Sequence, residues 1–405
     1  MNKIKFLDLG KQPIANGFLY EEEIPDEYFY QLEVGFDPDS KLVTHMEYVD
    51  PPLMFNENYS YRGSMSNTMV AHFKELSYYL KDSLSGYQYY KDGVIRVLEI
   101  GSNDGVFIKN WPKETTFAVE PCKNFADETN NMGYKTYLDF WNLSLSSRIK
   151  EEIGEMDLIF AANCICHIPD LDETFKAVRN LLSKNGFFIF EDPSLAEMIN
   201  SNSYDQIYDE HPHIFSVTSL KNILNRNGME IVRVDNIPVH GGSNRIWAKK
   251  IEGIKDTERG TSESVNLNLE FEKVLGLDSI ETFNLFAERV NQSKRDLIRI
   301  LSRCRSEGKK VISYGATSKS TTIFNFCGIT TDLIQYIVDT TPEKQGKLSP
   351  GCHIPILPPH EGFDESVDIS FLGAWNFSEE IKWKEESFIK RGGKFLTHVP
   401  IVKFV

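Results

Sequence analysis

The chain has 405 residues and a formal net charge of −15 at pH 7. That length predicts two or three domains, each with a core of its own. The acidic balance excludes the basic face that a nucleic-acid-binding protein needs. No stretch approaches the roughly 18 apolar residues of a membrane span, and the first residues lack the apolar core of a signal peptide. We therefore expect a cytoplasmic protein.

The six cysteines show no regular disulfide pattern. Cys164 and Cys166 are separated by one residue, which is too close for the usual zinc spacing. Free thiols are expected, and no metal site is predicted.

Residues 1–75 are rich in aromatic residues and are interrupted by Pro51 and Pro52, so we expect an irregular lid or small domain. From about residue 95, short apolar runs alternate with helical patterns. One such helix is predicted to end at Gly186. The alternation predicts a doubly wound α/β domain with a largely parallel sheet. Its predicted strands are 96–100, 115–121, 156–165, 186–193, 229–238 and 243–250.

A polar segment, 252–278, precedes a helix that is predicted from about 279 to 306. Four further apolar runs then indicate a second, smaller α/β unit. They are 309–316, 333–341, 366–374 and 394–405.

The sequence VLEIGSNDG at 97–105 carries a strand into a turn where glycines allow close approach of a ligand. It lacks the G-x-G-x-x-G spacing that seats a pyrophosphate, which suits adenosylmethionine because that donor has no phosphate. Glu120 ends the next strand, where a carboxylate can accept both ribose hydroxyls. Such a turn also arises by chance in α/β folds. The predicted donor-site residues are Glu99, Gly101, Ser102, Asn103, Gly105, Glu120, Pro121 and Asn163.

Titratable residues are concentrated in two segments expected at the same sheet edge, AANCICHIPD (161–170) and YDQIYDEHPHIFS (204–216). Asp170 suits a helix N-cap, whereas His167 can face an acceptor. Pro212 biases His211 away from helical geometry, and a histidine beside a carboxylate suits a general base. Tyr208 can bind an oxygen that gains negative charge. Packing of a lid would explain the same composition without catalysis.

Two glycine turns are further candidates. HGGSNR (240–245) joins two predicted strands, and SYGATSKS (313–320) places Lys319 at a helix start that suits phosphate. A structural hairpin and a helix cap are equally compatible with these residues.

In chain order, the motifs resemble those of the nucleotide-sugar C-methyltransferases, which make branched deoxysugars such as tetronitrose. The resemblance covers nearly the whole chain. It implies a small N-terminal domain at 1–75, a class I (Rossmann-like) adenosylmethionine domain at 76–252, and a linker helix with a Rossmann-like domain that holds the nucleotide sugar at 253–405. The matching motifs include VLEIGSNDG, AVEP, CHIPDLD, IYDEHPHIFS, VHGGSNRIW, SYGATSKSTT and GAWNFSEEI.

The implied reaction methylates a carbon beside a ketone. A base removes the α-proton, and the enolate carbon takes the methyl group from adenosylmethionine. By the match, His211 is the base, and Tyr208, Glu210 and His167 are the other catalytic residues. The expected contacts to the nucleotide sugar are Tyr61, His240, Gly242, Ser243, Arg245, Tyr314 and Lys319.

The chain departs from the family in two respects. The family's N-terminal zinc cysteines are missing, because no cysteine precedes Cys122. We therefore expect no structural zinc. His213 stands where the family usually has an aromatic residue, and EDPS at 191–194 replaces a Glu-x-Pro-Tyr run, which predicts an altered acceptor pocket.

Three other functions remain open from the sequence. They are O- or N-methylation of another small molecule on the same scaffold, a nicotinamide-dependent dehydrogenase, and a binding protein without activity. The missing G-x-G-x-x-G motif disfavours the dehydrogenase. A monomer that binds a small molecule is expected.

Overall fold

The computed structural model describes residues 2–85, 94–254 and 262–405. Within the described residues 2–45, three antiparallel strands form a sheet, so the expectation that residues 1–75 are irregular was wrong for this part. The alternation that sequence reading missed is visible in the first strand, where Leu7 and Leu9 are buried while Asp8 is exposed. The elements of this region are β1 (Ile4–Pro13), β2 (Phe29–Asp37), β3 (Leu42–His45), α1 (Pro51–Met54) and α2 (Asn67–Ser85).

The central region has the predicted α/β class, with helices on both faces of a seven-stranded sheet. Its elements are β4 (Val97–Ile100), β5 (Thr116–Val119), α3 (Lys123–Asn131), β6 (Lys135–Tyr137), α4 (Leu143–Ile153), β7 (Met156–Ala162), α5 (Leu171–Leu181), β8 (Leu182–Pro193), α6 (Leu195–Ser201), β9 (His213–Ile214), α7 (Val217–Arg226), β10 (Met229–Ile237) and β11 (Ser243–Lys250).

The strand order of this sheet is β6-β5-β4-β7-β8-β11-β10, with β11 antiparallel to both of its neighbours. A dinucleotide-binding sheet instead runs 3-2-1-4-5-6 without a reversed hairpin at its edge. The topology therefore disfavours the dehydrogenase alternative. The carboxyl ends of β4, β5 and β7 lie side by side, where an open α/β sheet binds its ligands.

Helix α5 ends at Leu181 rather than at Gly186. Leu182 takes extended backbone angles and pairs with Met156, because the eighth strand begins four residues before the predicted strand 186–193. The N-cap expected at Asp170 is confirmed, since its carboxylate accepts the backbone N–H of Glu173 at 2.9 Å.

The third region is a six-stranded sheet in the order β14-β13-β12-β15-β16-β17, parallel except for the last strand. The expected helix near 279–306 is confirmed, whereas part of the polar segment before it, 255–261, lies outside the described residues. The elements are α8 (Glu263–Leu275), α9 (Ile280–Ser306), β12 (Val311–Tyr314), α10 (Ser318–Cys327), β13 (Ile337–Val338), β14 (Ile356–Leu357), α11 (Pro359–Gly362), β15 (Ile369–Leu372), α12 (Ser378–Lys384), α13 (Glu386–Lys390), β16 (Lys394–Thr397) and β17 (Lys403–Phe404).

Strand β9 connects the central region to the N-terminal one. Although it follows the central helix α6 in the chain, it pairs with β3 and completes a four-stranded N-terminal sheet. All six cysteines are free thiols. Across the described parts of the chain, no helix combines the length and apolar character of a membrane span.

Candidate active site

A cavity of about 610 Å³ lies where the three regions meet. Its walls come from the carboxyl ends of β4, β5 and β7, from the loop between α6 and β9, and from the turn after β12. The sequence-predicted residues that line it are Tyr61, Glu99, Gly101, Ser102, Asn103, Glu120, Pro121, Asn163, His167, Tyr208, Glu210, His211, His240, Tyr314 and Lys319.

The turn after β4 needs glycine for two reasons. Gly101 has a φ of +71°, and a Cβ on it would lie 2.6 Å from the sulfur of Cys164. The backbone N–H of Asn103 in the same turn donates to Glu120 Oε2 at 2.7 Å, and the N–H of Cys122 donates to Oε1 at 2.9 Å. The Glu120 carboxylate thus holds two turns together and keeps its remaining lone pairs available to a ligand.

Two buried acids face each other across the donor end. Burial, reinforced by the charge of Glu120, raises the pKa of Glu99 well above its ordinary value. Burial also raises the pKa of Glu120, but its two backbone N–H partners oppose that shift. Glu99 is therefore the neutral member of the pair. A carboxylate for ribose hydroxyls, a close-approach turn and the aromatic walls Phe140 and Trp141 suit adenosylmethionine.

Residues 59–64 form a strap over this end of the cavity. Asn103 donates through Nδ2 to the carbonyl of Tyr61 at 2.9 Å and accepts the N–H of Gly63 at 3.0 Å. Asp104 accepts the N–H of Ser64 at 3.0 Å. Arg62 then pairs with Glu128 in α3 at 2.8 Å. The donor turn is thereby bound to a segment of the N-terminal region.

The loop between α6 and β9 fixes the protonation of His211. Its Nδ1 lies 2.8 Å from the carbonyl of Gln206, which can only accept, so Nδ1 carries the proton. Its Nε2 lies 2.7 Å from the hydroxyl of Tyr208 and accepts from it. Burial, aided by the neighbouring His167, lowers the pKa of His211 well below 6.5. The ring is thus neutral and presents a basic Nε2 at the cavity.

His167 stacks against His211, with ring centroids 5.1 Å apart. Burial lowers the pKa of His167 to about 3. Its Nε2 is buried and has no hydrogen-bond partner among the residues that the structure describes. Burying a polar nitrogen without a hydrogen-bond partner costs free energy, and a polar ligand atom would supply the missing partner.

Glu210 is held from two sides. The hydroxyl of Tyr59 donates to Oε2 at 2.7 Å, and the side-chain amide of Asn16 donates to Oε1 at 2.5 Å. Burial raises the pKa of Glu210, while these two donors oppose the shift. Both oxygens are engaged, so Glu210 is placed to orient the loop rather than to exchange protons with a ligand.

The acceptor end lies against the third region. Lys319 opens α10, is 8% exposed, and has its pKa lowered by burial while the charge of Asp205 opposes that shift. The hydroxyl of Tyr314 donates to Glu385 at 2.9 Å. His240 contributes a ring whose buried Nε2 has no partner within the described ranges. A buried cation at the N-terminus of a ten-residue helix suits an anionic group.

Four predicted site residues do not line the cavity. Gly105 packs against Thr129, and Gly242 packs against Glu197, each with a positive φ that favours glycine. The Ser243 hydroxyl donates to the carbonyl of Val239. The side chain of Arg245 is 11% exposed and pairs with Glu191 at 2.6 Å. In HGGSNR the structural alternative therefore describes Gly242, Ser243 and Arg245.

Sequence reading missed several residues of this site. Tyr59 and Asn16 reach Glu210 from segments more than 150 positions earlier in the chain, and Lys344 lines the cavity near them. Residues 59–63 contain two tyrosines, and the sequence prediction of substrate contacts included Tyr61 but not Tyr59. Phe55, which stacks on His167 at 5.4 Å, follows the Pro-Pro pair and gave no signal of its own.

Comparisons with known proteins match three successive family models. They are a putative zinc binding domain over residues 1–55, a methyltransferase domain over 71–234, and a C-methyltransferase C-terminal domain over 238–400. The chain is also 29% identical over 400 residues to the C-methyltransferase NovU of Streptomyces niveus, across 97% of this chain and 92% of that protein.

Solved methyltransferases show weaker likeness. An adenosylmethionine-dependent methyltransferase from Clostridium acetobutylicum is 15% identical with a TM-score of 0.34, covering 44% of this chain and 92% of that one. The CcbJ methyltransferase of Streptomyces caelestis is 12% identical with a TM-score of 0.33, covering 44% and 89%. Likeness at this level carries no argument about the site.

The first of the three matches implies zinc, but residues 1–55 do not fit it. That span has no cysteine and one histidine, His45. At residues 34–43, where the resemblance places a pair of zinc cysteines, the Ser40 hydroxyl donates to Asp37 Oδ2 at 2.7 Å, and the N–H of Lys41 donates to the carbonyl of Asp37 at 2.8 Å. Hydrogen bonds thus close this turn without a metal ligand.

A second group of possible metal ligands also fails the fit. Among the described residues, Cys166, His167 and His211 offer donor atoms within 4.8 Å of one another. Burial raises the pKa of the Cys166 thiol, and both ring nitrogens of His211 already have protein partners. Neither is available as a ligand in this arrangement.

The donor site yields a direct test. Glu120→Gln is expected to weaken adenosylmethionine binding about 10-fold, because an amide nitrogen would oppose a backbone N–H. Glu99→Gln is expected to have the smaller effect, since that carboxyl is already neutral. Calorimetric titration measures both. Glu155→Gln, at an exposed acid, is the control, and equal weakening by all three substitutions would contradict the assignment.

The N-terminal turn yields a second test. Chelators are expected to leave the unfolding temperature unchanged, whereas Asp37→Ala is expected to lower it by about 2–5 °C through the lost hydrogen bonds. Differential scanning calorimetry measures the change, with exposed Asp39→Ala as the matched control. A lower unfolding temperature in chelator, with zinc released stoichiometrically, would show that the turn binds metal.

Proposed function

We propose that this chain, which matches a methyltransferase domain model and a C-methyltransferase C-terminal domain model, methylates a carbon atom beside the ketone of a deoxysugar linked to a nucleotide. The observation that carries this proposal is the neutral, buried His211. Its unprotonated Nε2 lies in the same cavity as the donor turn and the cation of Lys319. A base, a methyl donor and an anion site are the three requirements of such a reaction.

Bound adenosylmethionine supplies an electrophilic methyl group on a sulfonium. The chain's own residues prepare the carbon that receives it. When the Tyr208 hydroxyl donates to the substrate oxygen instead of to His211, the Nε2 lone pair is free. His211 then takes the α-proton on Nε2, the C–H electron pair passes into the enolate, and the enolate carbon forms the new C–C bond. The electrons of the methyl–sulfur bond would remain on sulfur, so adenosylhomocysteine would be the other product. The proton stays on the imidazole until the product departs.

Tyr208 and His167 are assigned to the substrate oxygens. The pKa of Tyr208 is raised well above its ordinary value by burial, so the phenol keeps its proton and remains a donor. The unpaired Nε2 of His167 is the group that a substrate oxygen would satisfy. Donors fixed beforehand in a dry cavity stabilise developing enolate charge without reorganising.

The diphosphate of the nucleotide is assigned to the start of α10. Lys319 supplies a buried cation, the Thr317 side chain caps the helix, and the helix dipole favours negative charge at this end. This assignment leaves the sugar between the anion site and His211, within the cavity that all three regions line.

Substitution of the base tests the mechanism. His211→Asn is expected to lower turnover about 100-fold or more, while adenosylmethionine binding is retained. The substrates to screen are nucleotide-linked 4-keto deoxysugars, and His360→Asn, at an exposed histidine, is the control. With adenosylhomocysteine in heavy water, the wild type should exchange the α-proton of the substrate and the variant should not. Methylation without exchange would instead support O- or N-transfer.

The pH dependence gives an independent check. A histidine with a lowered pKa stays neutral as the pH falls below 6.5, and it loses its base form when the pH reaches the lowered value. The acid limb of kcat/KM is therefore expected to have its midpoint below pH 6.5. Initial rates measured between about pH 5 and pH 8, the range around the ordinary pKa of histidine, locate this midpoint. A midpoint above pH 6.5 would exclude His211 as this base.

A further inference from the structure

His213 joins two segments that carry the two cavity histidines. Its ring is 1% exposed, with Nε2 lying 3.1 Å from the carbonyl of Pro169 and Nδ1 lying 3.0 Å from the hydroxyl of Thr44. The carbonyl can only accept, so Nε2 carries the proton and donates to it. The Thr44 hydroxyl also donates to the carbonyl of Pro212 at 2.8 Å, so this hydroxyl is shared between that carbonyl and Nδ1. Burial lowers the pKa of His213 to about 4, which is consistent with a neutral ring.

The two partners come from different parts of the fold. Thr44 lies in β3 of the N-terminal sheet, whereas Pro169 lies two residues after His167. His213 itself lies two residues after His211. One ring therefore connects the backbone beside each cavity histidine to a common strand. The spacing of the two imidazoles, 5.1 Å between centroids, depends on the positions of those backbones.

Residues next to His213 in the loop also contact the N-terminal region. Asp209 accepts the N–H of Ala15 at 3.1 Å, and the carbonyl of Pro212 accepts the N–H of His45 at 2.9 Å. These contacts attach the loop to the N-terminal sheet, and Tyr208 lies on the opposite, cavity side. Of these attachments, the His213 ring is the one that also reaches the segment after His167.

We propose that His213 is a positioning residue that sets the distance between His167 and His211 by holding the Pro169 carbonyl and β3 together. It does not line the cavity, so it acts through the other two histidines and not on the substrate. This inference rests on the proposed function for its effect on turnover, but its effect on the two imidazoles stands without it.

Three substitutions separate the two hydrogen bonds. His213→Gln keeps a donor near the position of Nε2, and His213→Asn keeps an acceptor near the position of Nδ1. His213→Phe keeps a flat ring and removes both bonds. The hydrogen bond to the Pro169 carbonyl is the one that connects to the segment of His167. His213→Gln is therefore expected to restore the positions of the two imidazoles that His213→Phe disturbs, and His213→Asn is not.

The measurement is imidazole nitrogen NMR of the full-length protein with adenosylhomocysteine, together with kcat and KM. His213→Phe is expected to shift the signals of His167 and His211. It is also expected to lower kcat about 10-fold to 100-fold, with KM for adenosylmethionine unchanged. His213→Gln should return both signals and kcat toward the wild type. Leu32→Val, a buried change in β2, is the control for lost stability.

Two outcomes would overturn the proposal. Unmoved imidazole signals in His213→Phe would show that the ring does not position them, and an equal loss of kcat in Leu32→Val would assign the effect to general destabilisation. If no screened substrate turns over while the signals still shift, the proposed function fails and the positioning role is retained. Where His213→Phe does not fold, His213→Gln and His213→Asn supply the same comparison.

Discussion

The pairing of β3 with β9 is the constraint on which the rest of the site depends. Val43 pairs with Ile214 and Thr44 with His213, so the strand that follows His211 belongs to the N-terminal sheet and not to the central one. Because backbone hydrogen bonds pair the end of this loop with β3, the loop has little freedom to shift. The N-terminal region thereby fixes the position of His211, although it contributes no proton-transfer group of its own.

Burial decides the charge state of the cavity. The pKa of His240 falls to about 3, as does that of His167, and His211 follows in the same direction because desolvation is the largest cause in each case. Lys319 and Lys344 are buried lysines that line the same cavity, and Asp205 is the acid that opposes the desolvation of Lys319. The interior therefore combines neutral bases with buried lysines. An anion bound next to Lys319 would stabilise its charge, and neutral histidines can accept a proton from a nearby carbon acid.

Sequence motifs predicted the parts of the cavity that are formed by residues adjacent in the chain. The turn around Gly101, the acid at Glu120 and the YDEH segment were found because strand, turn and side chain are adjacent in sequence. Residues brought together by tertiary pairing were not found. Tyr59 and Asn16 meet Glu210 through packing between regions, and no spacing rule encodes that contact. Arg245 was predicted to contact the nucleotide sugar, but it pairs with the buried Glu191 on a neighbouring strand, a contact that the sequence does not reveal.

The turn around Gly101 and the loop that carries His211 are connected through the strap of residues 59–64. Asn103 bonds the strap beside Tyr61, and Tyr59 at its start donates to Glu210, whose neighbour in the chain is His211. Any ligand that orders the turn at Asn103 therefore also restrains the hydrogen bond that orients Glu210. In this chain the N-terminal region supplies both the strap and the strand β3. Its hydrogen-bonded turn at Asp37 and Ser40 is accordingly part of what holds the active site, although that turn lies in another sheet.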